Sequence, residues 1–323
     1  MTGKHNPAGK EGFSDLMELK RYIAIKNSQV NYYQATPLYR KNPDESYTMY
    51  KPAGMRIGKM RVAEGRMPQL YFDQKDRVMA VRELQREFHQ HLERDIKKGN
   101  DQGVKDTVCR LVEETLAEPR TGTIEVLPDT VDRLIWGYSN RPELAKTLAE
   151  IAFKDYSTTV HSVNVMALTI GFCFHCKYSV PKTRMYALSA LLHDVGKTEL
   201  PESVLHVDRL LTDEEFEIFK QHTALGADII NGNNEINDPV VVRAAMEHHE
   251  RLDGSGYPAG KRTLSPVGQL VGLVDCYELL TTEYRNYRAA ERPINVLKLL
   301  KKEAEQKKFS QELLKQFSFS LVK

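Results

Sequence analysis

The sequence predicts a mainly α protein: an all-α helical bundle over residues 101–323, preceded by a small α/β domain over residues 1–100. Two observations carry this. After Gly103, apolar residues recur three and four apart in successive runs, with Pro119, Pro128, Pro142, Pro181, Pro201 and Pro266 near run boundaries and no strand alternation between them. Before Gly103, three short strand-like runs, at 32–39, 46–50 and 70–72, are divided by the turn sequences Asn42-Pro43-Asp44 and Pro52-Ala53-Gly54.

Residues 1 to about 28 are polar and read as a frayed tail. Pro37 assigns the first strand to a sheet edge, because proline has no N–H to donate to a ladder. Residues 77–98 form an amphipathic helix with Val78, Val81, Leu84, Phe88, Leu92 and Ile96 along one stripe, closed by Lys98-Gly99-Asn100-Asp101. That stripe exceeds what one small domain covers, which points to a homodimer contact through Leu84 and Phe88. His89 and His91 stand two apart, on different faces, and read as solvated surface residues. Further helices are expected near 103–118, 128–138, 141–154, 156–172, 182–192, 212–232, 238–249, 264–283 and 291–306.

The composition, 41% hydrophobic and 28% charged over 323 residues, is that of a soluble globular protein. The net charge is +2, yet the first hundred residues hold 19 Lys and Arg against 12 Asp and Glu. No basic block interleaved with aromatics accompanies this excess, so no DNA or RNA polymer is expected as a partner. The longest apolar stretches, 163–174 and 269–275, fall short of the roughly 20 residues a membrane helix needs, so no membrane span is expected. The four cysteines, Cys109, Cys173, Cys176 and Cys276, suit free thiols in a reducing, cytoplasmic compartment.

Chemistry concentrates in Met246-Glu247-His248-His249-Glu250-Arg251-Leu252-Asp253-Gly254-Ser255-Gly256-Tyr257-Pro258. Two adjacent histidines, three acids and a stiff glycine-broken turn are hard to place in a core, whereas neutral imidazole is the commonest side-chain ligand for transition metals. Upstream lies Leu191-Leu192-His193-Asp194-Val195-Gly196-Lys197. His161 sits in a largely apolar helix, where an imidazole must find a hydrogen-bond partner or bind something. His222 and Asp275 complete a set of ligand-type side chains at helix ends or inside apolar helices.

The HDVGK and HHERLDGSGYP segments, at this separation, resemble those of HD-GYP domains, metal-dependent phosphodiesterases that open cyclic dinucleotides, chiefly cyclic di-GMP. The resemblance covers roughly residues 150–290. It implies an HD-type bundle in which His161, His193, Asp194 and Asp275 surround one metal and His222, His248 and His249 hold a second, with Asp194 between them. An imidazole-rich set suits two iron or manganese ions, with zinc also possible, better than magnesium or calcium. Asp194 and Lys197 are the expected catalytic groups, Lys197 neutralising a non-bridging phosphate oxygen. Gly256 and Tyr257 are expected to shape the pocket wall, Arg285 and Arg288 to clamp the second phosphate, and Glu250 and Asp253 to support the site or cap the loop.

The chain also departs from the family. Where some members carry a metal-recruiting glutamate one turn before the first histidine, this chain has Ser157, which implies two metals rather than three. The usual Asp-Ala-Leu after Asp275 reads Glu278-Leu279-Leu280, the usual Arg-Pro-Tyr-Arg reads Arg285-Asn286-Tyr287-Arg288, and Phe309-Ser310-Gln311 replaces Phe-Asp-Pro. The reading implied is hydrolysis of cyclic di-GMP to the linear dinucleotide or onward to GMP. Its alternatives are a catalytically weak cyclic di-GMP receptor, a phosphodiesterase for another cyclic dinucleotide, and a general HD phosphohydrolase acting on another nucleotide.

Overall fold

Tyr22-Ile23-Ala24, inside the expected tail, is a strand. The computed structural model describes residues 21–26, 29–55, 57, 67–117, 119–121, 123–141, 143–144, 147–148, 157–207, 209–282 and 290–322. Strand β1 (Tyr22–Ala24) pairs antiparallel with β4 (Leu70–Asp73), and β2 (Leu38–Lys41) pairs antiparallel with both β4 and β3 (Tyr47–Lys51), giving the order β1-β4-β2-β3. Tyr22 is held there by its ring, stacked 4.0 Å from Tyr47 and edge-on to Tyr39 at 5.1 Å. The edge assignment for the first expected strand does not hold either. Pro37 stands one residue before β2, outside the ladder, so β2 keeps every N–H it needs and lies between two partners. Alternation sets the sheet's faces, with Leu38, Leu70 and Phe72 buried and tyrosines facing the other way.

The chain divides into two units, 1–83 and 84–323. The division falls inside helix α1 (Arg77–Lys98), earlier than the boundary expected at residue 100. The physical reason is packing. Leu92 and Ile96 in the second half of α1 join the bundle's apolar core, while Glu83 in the first half accepts hydrogen bonds from the backbone of Gln34, Ala35 and Thr36 at 2.6–2.9 Å. Leu84 and Phe88 are buried, so the stripe expected to face a second copy is core. His89 is buried too, 3.0 Å from Thr130 Oγ1, which corrects its surface assignment.

The bundle contains α2 (Asp101–Leu116), α3 (Leu127–Asn140), α4 (Thr158–His175), α5 (Val180–Leu192), the short α6 (Glu202–Leu205), α7 (Asp213–Lys220), α8 (His222–Asn231), α9 (Pro239–Glu247), α10 (Pro266–Thr281), α11 (Pro293–Glu305) and α12 (Gln311–Ser320). Starts follow local chemistry. The side chains of Asp238 and Ser265 accept from the first turns of α9 and α10, whose first residues are Pro239 and Pro266. The helix expected over 212–232 is two helices broken at Gln221. His222 Nδ1 donates to the Phe219 carbonyl at 2.6 Å, an oxygen that a continuous helix would share with residue 223. Most of the helix expected at 141–154 lies outside the described residues, and α12 was not anticipated. Among the described residues no helix is long and apolar enough to cross a membrane.

Candidate metal centre

Five helices converge on one buried point. α4 contributes His161, the end of α5 supplies His193 and Asp194, α8 starts with His222, α9 ends at His248 and His249, and α10 carries Asp275. Close backbone approach makes this convergence possible. A Cβ on Gly196 would lie 2.0 Å from the His222 carbonyl oxygen, and one on Gly272 would lie 2.2 Å from that of His248.

The imidazoles are oriented from behind. Backbone carbonyls can only accept, so Nδ1 of His193 donates to Ala190 O (2.7 Å), that of His222 to Phe219 O (2.6 Å) and that of His248 to Ala245 O (2.9 Å). His161 Nδ1 faces the Glu278 carboxylate at 2.6 Å. The Nε2 atoms of all four point inward, those of His193, His222 and His248 with their lone pairs, and they meet in pairs: His161 and His193 at 3.2 Å, His222 and His248 at 3.3 Å. Two facing acceptors at such distances need a proton or a cation between them.

Asp194 lies between the pairs. Its Oδ2 is 3.5 Å from His161 Nε2 and 3.4 Å from His193 Nε2, while Oδ1 is 3.5 Å from His222 Nε2 and 3.6 Å from His248 Nε2. Oδ1 of Asp194 and Nε2 of His249 are buried without a hydrogen-bond partner. Asp275 Oδ1 is 3.1 Å from His161 Nε2, and its Oδ2 is 3.9 Å from His249 Nδ1. Two groups of donor atoms close enough to hold a cation follow, His161, His193 and Asp194 in one, Asp194, His222, His248 and His249 in the other. Orphaned buried donors, inward lone pairs and a shared carboxylate fit divalent ions of borderline softness.

Electrostatics separate His161 from the other imidazoles. Burial holds the imidazoles of His222, at about 3, and of His248 and His249 below the ordinary histidine value, so they stay neutral. At His161 burial acts in the same direction but is outweighed by Glu278 and Asp275, which raise it to about 10. Burial would raise the Asp194 carboxyl, yet Lys197 and His193 hold it well below the usual carboxylate range.

Lys197 Nζ is 2.5 Å from Asp194 Oδ2, and its ammonium lies 5.3 Å from the centroid of the Phe219 ring. Tyr257 stacks on His249 at 4.6 Å. Gly256 packs its backbone against 249–251, where a Cβ would sit 2.5 Å from the His249 carbonyl. Glu250 ties the loop by accepting from Ala259 N (2.7 Å) and Lys261 N (2.9 Å), and Asp253 accepts from Ser255 N at 2.9 Å. Ser157 is the exposed N-cap of α4, accepting from Val160 N. Arg285 and Arg288 lie outside the described residues. Sequence reasoning missed Glu278 and Asn164, whose Nδ2 donates to Glu278 Oε1 at 2.6 Å. The sign was there, since Glu278 stands three residues after Asp275 and shares its helix face.

Residues 142–313 match the HD domain family. The chain belongs to that family, as an HD-GYP domain protein. Among curated proteins it is similar to the cyclic di-GMP phosphodiesterase PA4108 of Pseudomonas aeruginosa, 31% identical over 168 residues, which is 50% of this chain and 40% of that protein. It is also similar to the cyclic di-GMP phosphodiesterase of Thermotoga maritima, 32% identical over 162 residues, 49% of this chain and 44% of that one. The chain thus spans less than half the length of these two relatives. Among solved structures, Bd1817, a HDG"Y"P protein from Bdellovibrio bacteriovorus, shares the fold with a TM-score of 0.62 at 19% identity, covering 94% of this chain and all of that one.

Proposed function

We propose that this chain hydrolyses a cyclic dinucleotide, cyclic di-GMP, to the linear dinucleotide, with two divalent ions, iron or manganese, held by His161, His193, Asp194 and Asp275 and by Asp194, His222, His248 and His249. The observation that carries the reading is the placement of Asp194, each of whose oxygens faces a separate pair of imidazole nitrogens. The curated relatives named as cyclic di-GMP phosphodiesterases support the substrate.

In the reaction a water oxygen bonds to phosphorus, the bond from phosphorus to a ribose 3′ oxygen breaks, and that oxygen leaves with a proton. Bound divalent ions supply Lewis acidity that activates water at neutral pH and offsets charge on phosphate oxygens. The chain's own residues set the stage. Backbone carbonyls hold His193, His222 and His248 in one tautomer, and Glu278 does the same for His161. Lys197, already beside Asp194, places a positive charge where phosphate oxygens arrive. Tyr257 walls the site and keeps its proton, because burial and then Asp275 and Asp194 raise its hydroxyl above the ordinary value. The free cysteines Cys109, Cys173, Cys176 and Cys276 suit a cytoplasmic setting.

The deciding experiment is turnover of cyclic di-GMP by protein purified without oxygen and loaded with iron or manganese, with metal measured on the same sample. Hydrolysis with about two ions per chain, lost in Asp194→Asn, is the expected result. Two ions with tight nucleotide binding and no turnover would select the receptor reading instead.

A further inference from the structure

Helix α7 is anchored firmly although none of its residues is fully buried. A capping box joins Thr212 and Glu215, and Arg209 grips the Glu215 carboxylate through two hydrogen bonds of 2.6 and 2.7 Å. What this rigid helix presents is Phe216, 40% exposed. Solvent contact is costly for a phenyl ring, so its exposed face is surface a ligand gains by covering.

The ring's neighbours lead inward. Phe216 meets Tyr257 edge-to-face at 5.6 Å and lies nearly parallel to Phe219 at 6.5 Å. Tyr257 stacks on His249 at 4.6 Å, and Phe219 lies 4.9 Å from His222. Two aromatic routes therefore run from the candidate metal ligands to the surface and join at Phe216. Cations accompany both rings, with Lys220 Nζ, which also pairs with Glu217, 5.2 Å from the Phe216 centroid and Lys197 Nζ, which also pairs with Asp194, 5.3 Å from that of Phe219. A flat apolar face beside ammonium groups, continuous with a phosphodiester-cleaving centre, matches a base joined to its phosphate.

We propose that Phe216 is the stacking platform for a purine base of the substrate. The inference rests on the function proposed above and adds the residue that selects a nucleotide over a plain phosphodiester.

The test is initial-rate kinetics on the metal-loaded full chain with cyclic di-GMP and with methyl 4-nitrophenyl phosphate, a diester without a nucleobase. Relative to wild type, Phe216→Ala is expected to raise KM for cyclic di-GMP about tenfold, within the range of base–aromatic stacking. The ratio of kcat/KM for cyclic di-GMP to that for the simple diester should fall by the same factor, and Phe216→Trp should restore it. Phe216→Leu keeps apolar bulk without a π-face and should resemble the alanine variant. The proposal is overturned if Phe216→Ala keeps KM within twofold, if leucine serves as well as phenylalanine, or if both substrates suffer equally. Where wild-type protein does not turn over cyclic di-GMP, calorimetric binding of cyclic di-GMP decides. A Phe216-dependent affinity upholds the platform while the catalytic reading fails; equal affinities, or no binding, overturn it.

Discussion

Glu278 Oε2 lies 2.6 Å from Nδ1 of His161, and Oε1 of the same carboxylate accepts from Asn164 Nδ2 at 2.6 Å and from Thr282 Oγ1 at 3.0 Å. Both Glu278 and His161 are buried. His193, His222 and His248 are oriented by backbone carbonyls that no substitution removes, so His161 is the imidazole of these four whose orientation depends on a side chain. Glu278→Gln is expected to weaken metal binding at the His161 group about 10- to 100-fold, the usual cost of losing such a partner. Chelator competition with metal counting should show one ion lost earlier than in wild type, and Glu278→Asp, with a shorter reach, an intermediate loss. Equal retention of both ions in the glutamine variant would contradict the assignment.

Gly272 offers a second test, because α10 touches the His248 carbonyl at that residue. A methyl group there would sit 2.2 Å from the oxygen and force the end of α9 away. Gly272→Ala should destabilise the bundle by about 1–3 kcal/mol, typical of overpacking. Urea unfolding measures that loss, and metal content should fall with it because His248 and His249 move together. A variant with wild-type stability and metal content would show that α9 and α10 have room to spare.

The candidate centre was legible in the sequence because the residues that line it fall in short motifs whose chemistry does not depend on the surrounding fold. His193-Asp194 and His248-His249 are adjacent in the chain, and His161, His222 and Asp275 each stand out as polar groups in apolar surroundings. Glu278 was harder to place. Its identity departs from the family pattern, and its role depends on α4 and α10 lying side by side, which periodicity does not reveal. The error at His89 has a similar source. Spacing showed that His89 and His91 point apart, but not that α3 covers one of those directions with Thr130. β1 was missed because three residues form too short a run to signal a strand, and it is ordered by tyrosines far along the chain, Tyr47 and Tyr39.

Lys197 separates binding from catalysis. Its ammonium is 2.5 Å from a buried Asp194 oxygen, and that carboxylate also faces four imidazole nitrogens that bound cations would join. Replacing the lysine leaves the donor set whole but removes the charge nearest the incoming phosphate. Lys197→Gln should therefore keep about two ions per chain while kcat/KM for cyclic di-GMP falls about 10²- to 10³-fold, as when one oxyanion-stabilising donor is deleted. If both ions are lost with the lysine, its role is to hold Asp194, not to meet substrate.

His89 predicts an acid-sensitive step outside the candidate metal centre. Burial, with Arg133 beside it and Asp129 opposing, lowers its imidazole to about 4 in the folded protein, against about 6.5 when unfolded. The folded state favours neutral imidazole, so between these values the unfolded chain binds the extra proton. His89 thus contributes stability that is present above pH about 6.5 and drains away as the pH falls towards 4, by on the order of 3 kcal/mol. His222, His248 and His249 are lowered as well, so the comparison must be made between variants in one metal state. Glutamine retains a polar group for Thr130 and does not titrate. Urea unfolding at pH 7 and pH 5 should give a smaller loss of stability for His89→Gln than for wild type, by roughly 1–2 kcal/mol. Parallel losses in the two proteins would mean that His89 takes up its proton without leaving its site.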